Sequence, residues 1–141
     1  MPRTGAYTAL AVVAWLLAAC LLVQVFLAGM GVFDGPEQFE THRGFGYLFG
    51  WLTLVMLVIA AVGRLGRMLI GLSALTLVQF FLQSILILFR EDQPAIAALH
   101  PVNGVLLLVV TIVIARLAMA GRRAAMSAKA SASLAPAEAA S

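Results

Sequence analysis

The sequence predicts an all-α, polytopic membrane protein: a four-transmembrane-helix antiparallel bundle made of two repeated hairpins. Of its 141 residues, 63% are hydrophobic and only 11% are charged, a balance unlike that of a soluble domain. Helices are expected because lipid offers no partner to free backbone groups, and crossing a bilayer takes about 20 residues of helix. Four apolar stretches are long enough: residues 7–30, 44–62, 68–89 and 102–119. We assign residues 1–120 to this bundle.

Charged residues divide between the two ends of the predicted bundle. Basic residues lie at the N-terminus, in the loop between the second and third stretches, and in the tail. The acidic residues of the loops lie in the two remaining loops, which follow the first and third stretches. Because Lys and Arg are enriched on the cytoplasmic side of membrane proteins, both termini are predicted to be cytoplasmic, in a multi-pass protein of the plasma membrane. The lipid bilayer is the expected partner. The net charge of +3 forms no basic stripe, so nucleic acid is not an expected partner.

The tail, residues 121–141, differs in composition from the rest of the chain. It is rich in alanine and serine, and its large apolar residues are Met126 and Leu134. Such a segment cannot bury a hydrophobic core. We therefore predict a disordered cytoplasmic tail.

An internal repeat relates the two predicted hairpins. The first helix contains "LVQVFL", with Gln24, and the third contains "LVQFFL", with Gln79. Both hairpins run from the inner to the outer side and back. A two-fold axis along the membrane normal would therefore relate them.

The repeat continues into the two outer loops, as "PEQFETH" and "PAIAALH". In each, proline precedes histidine by six residues: Pro36 before His42, and Pro94 before His100. Proline is favoured in the first turn of a helix. If each proline opens a helix, each histidine lies about 9 Å further along, at about 1.5 Å per residue. The two histidines are therefore predicted to lie at the same depth.

In a bundle with short loops, the second and fourth helices are diagonal, so His42 and His100 would face each other across the core. Two facing imidazoles suit the axial ligation of a haem iron. A zinc ion would want three or four protein ligands, and the chain has two histidines. We therefore predict that His42 and His100 are metal ligands of a b-type haem (haem b), which would transfer electrons near the outer face.

Four further residues are predicted to support this cofactor. Arg43 and Arg90 lie at the outer end, where guanidinium groups could pair with the haem propionates. Gln24 and Gln79 lie near the depth of the histidines and could orient the imidazoles.

Two alternatives remain open beside haem binding. One is a non-catalytic membrane scaffold or accessory subunit without a cofactor, in which the histidines only pack or cap and membrane glutamines join helices. The other is a small transporter or channel, although no helix carries a charge at mid-membrane. No catalytic residues are assigned, and enzymatic activity stays undecided. Partners would be respiratory or other membrane proteins, or a second copy of the chain. In "ALHPVNG", Pro101 and Asn103 are interpreted as local backbone accommodation.

Residues 36–118 resemble a known family through "THRGFGYLFGWLTLVMLV", "GRLGRMLIGLSALTLVQFFLQSILILF" and "PAIAALHPVNGVLLLVV". The stretch is similar to one four-helix half of the haem A synthases, whose halves each carry a histidine near the outer end of the second and fourth helices. The resemblance implies haem binding at His42 and His100. The chain departs from that family at Phe39, where the catalytic half has glutamate, and it lacks the outer-loop cysteine pair. The resemblance therefore supports haem binding further than oxygenase chemistry.

As a whole, the chain is more similar to small four-helix membrane proteins of actinobacterial type. These form a family of unknown function that shares the "HR…G" and "LHPVNG" signatures. This second resemblance implies a fold and no activity.

Overall fold

The computed structural model describes residues 3–138, and it is helical between short loops throughout that range. Four of its helices are long and apolar enough to cross a membrane, which confirms the all-α four-helix bundle and identifies a multi-pass membrane protein. The α-helices are α1 (Arg3–Phe33), α2 (Phe39–Val62), α3 (Arg67–Leu86), the one-turn α4 (Pro94–Ala97) and α5 (Leu99–Glu138). Two 3₁₀ turns, Pro36–Gln38 and Ile87–Phe89, complete the loops.

The long helices form a ring in the order α1, α2, α3, α5. Helix α1 packs against α2 and α5, and α3 packs against the same two helices. Consequently α2 and α5 are diagonal across the bundle, as the short loops predict. This places the helices that carry the two histidines on opposite sides of one core.

Most of the chain's basic residues lie toward one end of the ring, whereas Arg43 and Arg90 lie at the other. Arg3 Nη2 donates to the backbone oxygen of Arg64 in the α2–α3 loop, at 3.3 Å. Tyr7 packs so closely on Gly121 of α5 that a Cβ there would lie 2.5 Å from its ring. We call this the basic end. The opposite end, which holds the acidic loops after α1 and α3, is the acidic end.

Buried positions repeat between α2 and α5 at the same spacing from each histidine. Five pairs of matched positions lie on the faces that α2 and α5 turn toward the centre of the bundle, three or four residues apart along each helix. The matched pairs are Gly46 with Gly104, Phe49 with Leu107, Thr53 with Thr111, Met56 with Ile114, and Ala60 with Ala118; all except the half-buried Gly104 are fully buried. The two-hairpin repeat therefore extends from the loops into the core.

Both loop prolines open a helical turn, as predicted. Pro36 is the first residue of its 3₁₀ turn, and Pro94 is the first residue of α4. In each half the chain then starts the long helix a few residues later, at Phe39 or Leu99. Pro101 lies in the first turn of α5, where a missing N–H leaves no partner unsatisfied.

The tail differs from its prediction. Helix α5 continues without a break to Glu138, so residues 121–138 are helical where the composition predicts disorder; residues 139–141 lie outside the described range. Alanine has the highest helix propensity, and it dominates this segment. Residues 126–133 of this segment are all exposed. The prediction of disorder considered only the lack of large apolar residues and left out the high helix propensity of alanine.

A candidate site at a histidine pair

His42 and His100 face each other across the diagonal of the bundle. Their ring centres are 6.1 Å apart, and the ring planes are inclined at 61°. Both side chains are half-buried, close to the acidic end. The ring centre of Phe39 lies 6.3 Å from that of His42, and the two ring planes are nearly perpendicular, at 87°. The structure thus brings together the two imidazoles that the spacing of the repeat places at one depth.

His42 and Gln24 form a reciprocal pair of hydrogen bonds between α2 and α1. The Nδ1 of His42 donates to the backbone oxygen of Gln24 at 3.1 Å. The side-chain amide of Gln24 donates back to the backbone oxygen of His42 at 2.8 Å. One bond therefore orients the His42 imidazole against α1, and the other ties the Gln24 side chain of α1 to the backbone of α2.

His100 has the same arrangement with Gln83 of α3. Its Nδ1 donates to the backbone oxygen of Gln83 at 3.0 Å. With its amide turned to satisfy both of its polar atoms, Gln83 donates to the backbone oxygen of His100 at 2.8 Å. Gln83 is therefore the counterpart of Gln24, one helical turn beyond Gln79. The orienting role that the sequence comparison predicts for Gln79 belongs to Gln83.

These bonds fix the tautomer of both histidines. A backbone carbonyl oxygen can only accept, so the hydrogen must lie on Nδ1 in each ring. In a neutral imidazole the remaining nitrogen, Nε2, then carries a free lone pair. This is the arrangement in which metal-ligating histidines are usually held, with the other nitrogen bonded to a carbonyl or carboxylate.

Two glycines make room for the glutamine amides. A Cβ on Gly46 would lie 2.7 Å from the Gln24 amide nitrogen, and a Cβ on Gly104 would lie 2.9 Å from the Gln83 amide. Each glycine follows its histidine by one helical turn. The signal His-x-x-x-Gly therefore occurs in both halves, at His42 and at His100.

Below the histidines, Asn103 and Gln79 join α5 to α3. Both are buried, and the Asn103 amide donates to the backbone oxygen of Gln79 at 2.9 Å. Asn103 also lies 3.0 Å from the Gln83 side-chain amide. It thus acts as an interhelical link and does not serve the backbone around Pro101. The side-chain oxygens of Gln24 and Gln79 are buried without a hydrogen-bond partner.

The two arginines predicted to bind propionates lie at the acidic end. Arg43 pairs with Glu40 at 2.6 Å, and Arg90 pairs with Glu91 at 3.1 Å. Both arginines are mostly exposed. Exposed pairs of this kind contribute at most about 1 kcal/mol, so either guanidinium can exchange its partner for another carboxylate.

A metal at this pair would have two protein ligands. Within residues 3–133 no group of three or more His, Cys, Asp or Glu side chains is placed to hold a metal ion. Any metal between His42 and His100 must therefore bring most of its ligands with it, as the iron of a porphyrin does.

The profile of one family, described as "Family of unknown function (DUF6220)", matches residues 24–90. The matched range begins at Gln24 and contains His42 and Gln83, but it ends before His100. No curated protein and no solved structure matches the chain. The likeness to an uncharacterised membrane family therefore has support, whereas the resemblance to haem A synthase gains none.

Proposed function

We propose that this membrane protein binds a b-type haem between His42 and His100 and transfers electrons near the outer face of the plasma membrane, with both termini cytoplasmic. The observation that carries the proposal is the matched tautomer of two facing imidazoles. Both Nδ1 atoms are committed to backbone oxygens, which leaves two Nε2 lone pairs for one metal. Membrane proteins that exchange electrons with it are the expected partners.

The separation of the rings suits a metal between them. Two metal–nitrogen bonds of about 2 Å, with the radius of each ring added, span about 6 Å. The ring centres of His42 and His100 are 6.1 Å apart. Edge-to-face rings in direct contact also lie about 4.5–7 Å apart, so this distance fits a metal and direct packing equally, and the free Nε2 atoms carry the proposal.

The chain's own groups would hold and tune the cofactor. The backbone oxygens of Gln24 and Gln83 fix both ring orientations and raise the basicity of Nε2. Arg43 and Arg90 would hold the propionate carboxylates at the acidic end. The haem would supply a one-electron couple whose potential depends on these ligands and on burial.

The experiment is an optical spectrum of the detergent-purified protein from haem-supplemented cells. We expect a sharp reduced-minus-oxidised band that is lost in His42→Gly and in His100→Gly. Added imidazole should restore the band in each single variant, because it can occupy the place of the missing ring. Gln79→Leu is the matched control and should keep the band. A colourless wild-type protein would refute haem binding.

A second candidate is a scaffold in which the histidines only lock helices together. The reciprocal bonds between His42 and Gln24, and between His100 and Gln83, favour it, because each is worth about 1 kcal/mol in a membrane. On this proposal the protein is colourless, and replacing either histidine lowers thermal stability without any cofactor effect. Melting curves recorded beside the spectra separate the two proposals.

A further inference from the structure

A depression opens at the basic end, where the first turn of α1 meets the α2–α3 loop. It has a volume of about 530 Å³ and is lined by Arg3, Val62, Gly63 and Arg64. Arg3 Nη2 reaches the backbone oxygen of Arg64 at 3.3 Å. Two arginines therefore border one cavity on the side opposite the histidine pair.

Arg64 occupies a backbone position that glycine usually fills. The bonds Leu65 N to Ala60 O (3.0 Å) and Arg64 N to Ala61 O (3.1 Å) form a Schellman motif that ends α2. The φ angle of Arg64 is +50°, in the left-handed region that a Cβ disfavours. An arginine is thus kept at this position against a local backbone cost, which is the kind of outlier that motivates a functional hypothesis.

Between residues 3 and 133, the basic end holds arginines and no carboxylate. Within residues 3–133, both ion pairs lie at the acidic end. So do all of the carboxylates in that range, which are Asp34, Glu37, Glu40, Glu91 and Asp92. The counter-anions of the basic end must therefore come from outside this part of the chain.

We propose that Arg3 and Arg64 bind the phosphate of an anionic phospholipid. Guanidinium groups match phosphate geometry and can bond it in bidentate fashion. Val62, the last residue of α2, lines the same depression and is 73% exposed. A free phosphate makes no use of this apolar wall, whereas a phospholipid can lay an acyl chain along Val62 with its headgroup at the arginines.

The experiment compares lipids on the full-length protein. The protein in phosphatidylcholine nanodiscs is titrated with phosphatidylglycerol, and separately with inorganic phosphate, while bound lipid is counted by native mass spectrometry and the unfolding midpoint is recorded. We expect phosphatidylglycerol to be retained and to raise the midpoint, with no effect of phosphate. Arg3→Gln with Arg64→Gln should weaken retention by about fivefold for each charge removed. Arg122→Gln with Arg123→Gln is the matched control, because it removes two basic residues that do not line the depression.

Arg64→Gly provides a variant that cannot fail for lack of folding. Glycine relieves the left-handed strain, so its midpoint without anionic lipid should equal or exceed that of the wild type, while its retention of phosphatidylglycerol falls. Unchanged retention in this variant and in Arg3→Gln with Arg64→Gln would overturn the proposal. An equal effect of inorganic phosphate would also overturn it, since the site would then bind the anion and not the lipid.

Discussion

At the histidine pair, the positions of the two glutamine amides depend on two glycines, whose missing side chains leave the amides their space. Gly46 and Gly104 each lie against a glutamine amide, and an added Cβ would meet that amide at 2.7 Å or 2.9 Å. The amide in turn bonds the backbone of the histidine one turn earlier. A single methyl group at either position would therefore disturb the orientation of an imidazole that it does not touch.

An added methyl group would displace a glutamine amide and break its hydrogen bond to the histidine backbone. We therefore expect Gly46→Ala and Gly104→Ala to be less stable than a Gly→Ala change at an open helical position by about 1 kcal/mol. The matched control is Gly44→Ala, where a Cβ would meet nothing within 4 Å. Because alanine is favoured over glycine by about 1 kcal/mol inside a helix, this control should be neutral or stabilising. Thermal unfolding in detergent measures all three. Equal loss in Gly44→Ala and Gly46→Ala would show that the amide contact is unimportant.

At the scale of the helices, the two hairpins share a pattern of hydrogen bonds more closely than they share an amino-acid sequence. The matching "LVQ" runs pair Gln24 with Gln79, but the hydrogen bonds pair Gln24 with Gln83. Gln24 and Gln83 lie 18 and 17 residues before their histidines, whereas Gln79 lies a further turn away. Spacing to the histidine was the informative signal, because a helix carries a side chain about 6 Å per turn along the membrane.

This equivalence predicts different effects for the glutamines. Gln24→Leu and Gln83→Leu each remove a bond across a hairpin, so each should cost about 1 kcal/mol and alter any haem band. Gln79→Leu keeps the backbone oxygen that accepts from Asn103 and removes a buried oxygen without a partner, so it should be neutral or stabilising. Melting curves and optical spectra of the three variants provide the measurement. A larger loss of thermal stability in Gln79→Leu than in Gln83→Leu would contradict this equivalence and would make Gln79 the counterpart of Gln24, as the "LVQ" match has it.

Helix type and number followed from the sequence, since long apolar runs leave few alternatives to a spanning helix. The facing histidines followed from two short loops and a shared Pro-to-His spacing. The role of Gly46 and Gly104 was not predicted, because His-x-x-x-Gly does not itself indicate a contact. The role is recognised only once the structure places a glutamine of another helix against each glycine. The length of α5 was missed because an exposed alanine-rich helix carries no hydrophobic pattern.

At the scale of the whole molecule, the charges of the two ends predict an orientation in the membrane. The basic end carries Arg3, Arg64 and Arg67, and the loops of the acidic end carry the carboxylates. From these charges and the positive-inside rule we predict that both termini are cytoplasmic.

A labelling experiment checks this orientation. In a Cys20→Ala background, Gln93→Cys places a thiol in the loop of the acidic end, and Ser127→Cys places one beyond the basic end. A membrane-impermeant maleimide should label Gln93→Cys in intact cells and Ser127→Cys only after lysis, because the reagent cannot reach the cytoplasm. The reverse pattern would mean an inverted protein, and it would move the histidine pair to the inner face.

Each hairpin carries one half of the candidate site complete with its own supports. Histidine, glutamine and glycine all come from α1 and α2 on one side, and from α3 and α5 on the other. Such a chain has the geometry of an internal homodimer. Association of the two hairpins therefore assembles both imidazoles. The hairpins can differ elsewhere without loss of what joins them, as Leu17 and Thr76 do at buried places that share the register of Gln24 and Gln83.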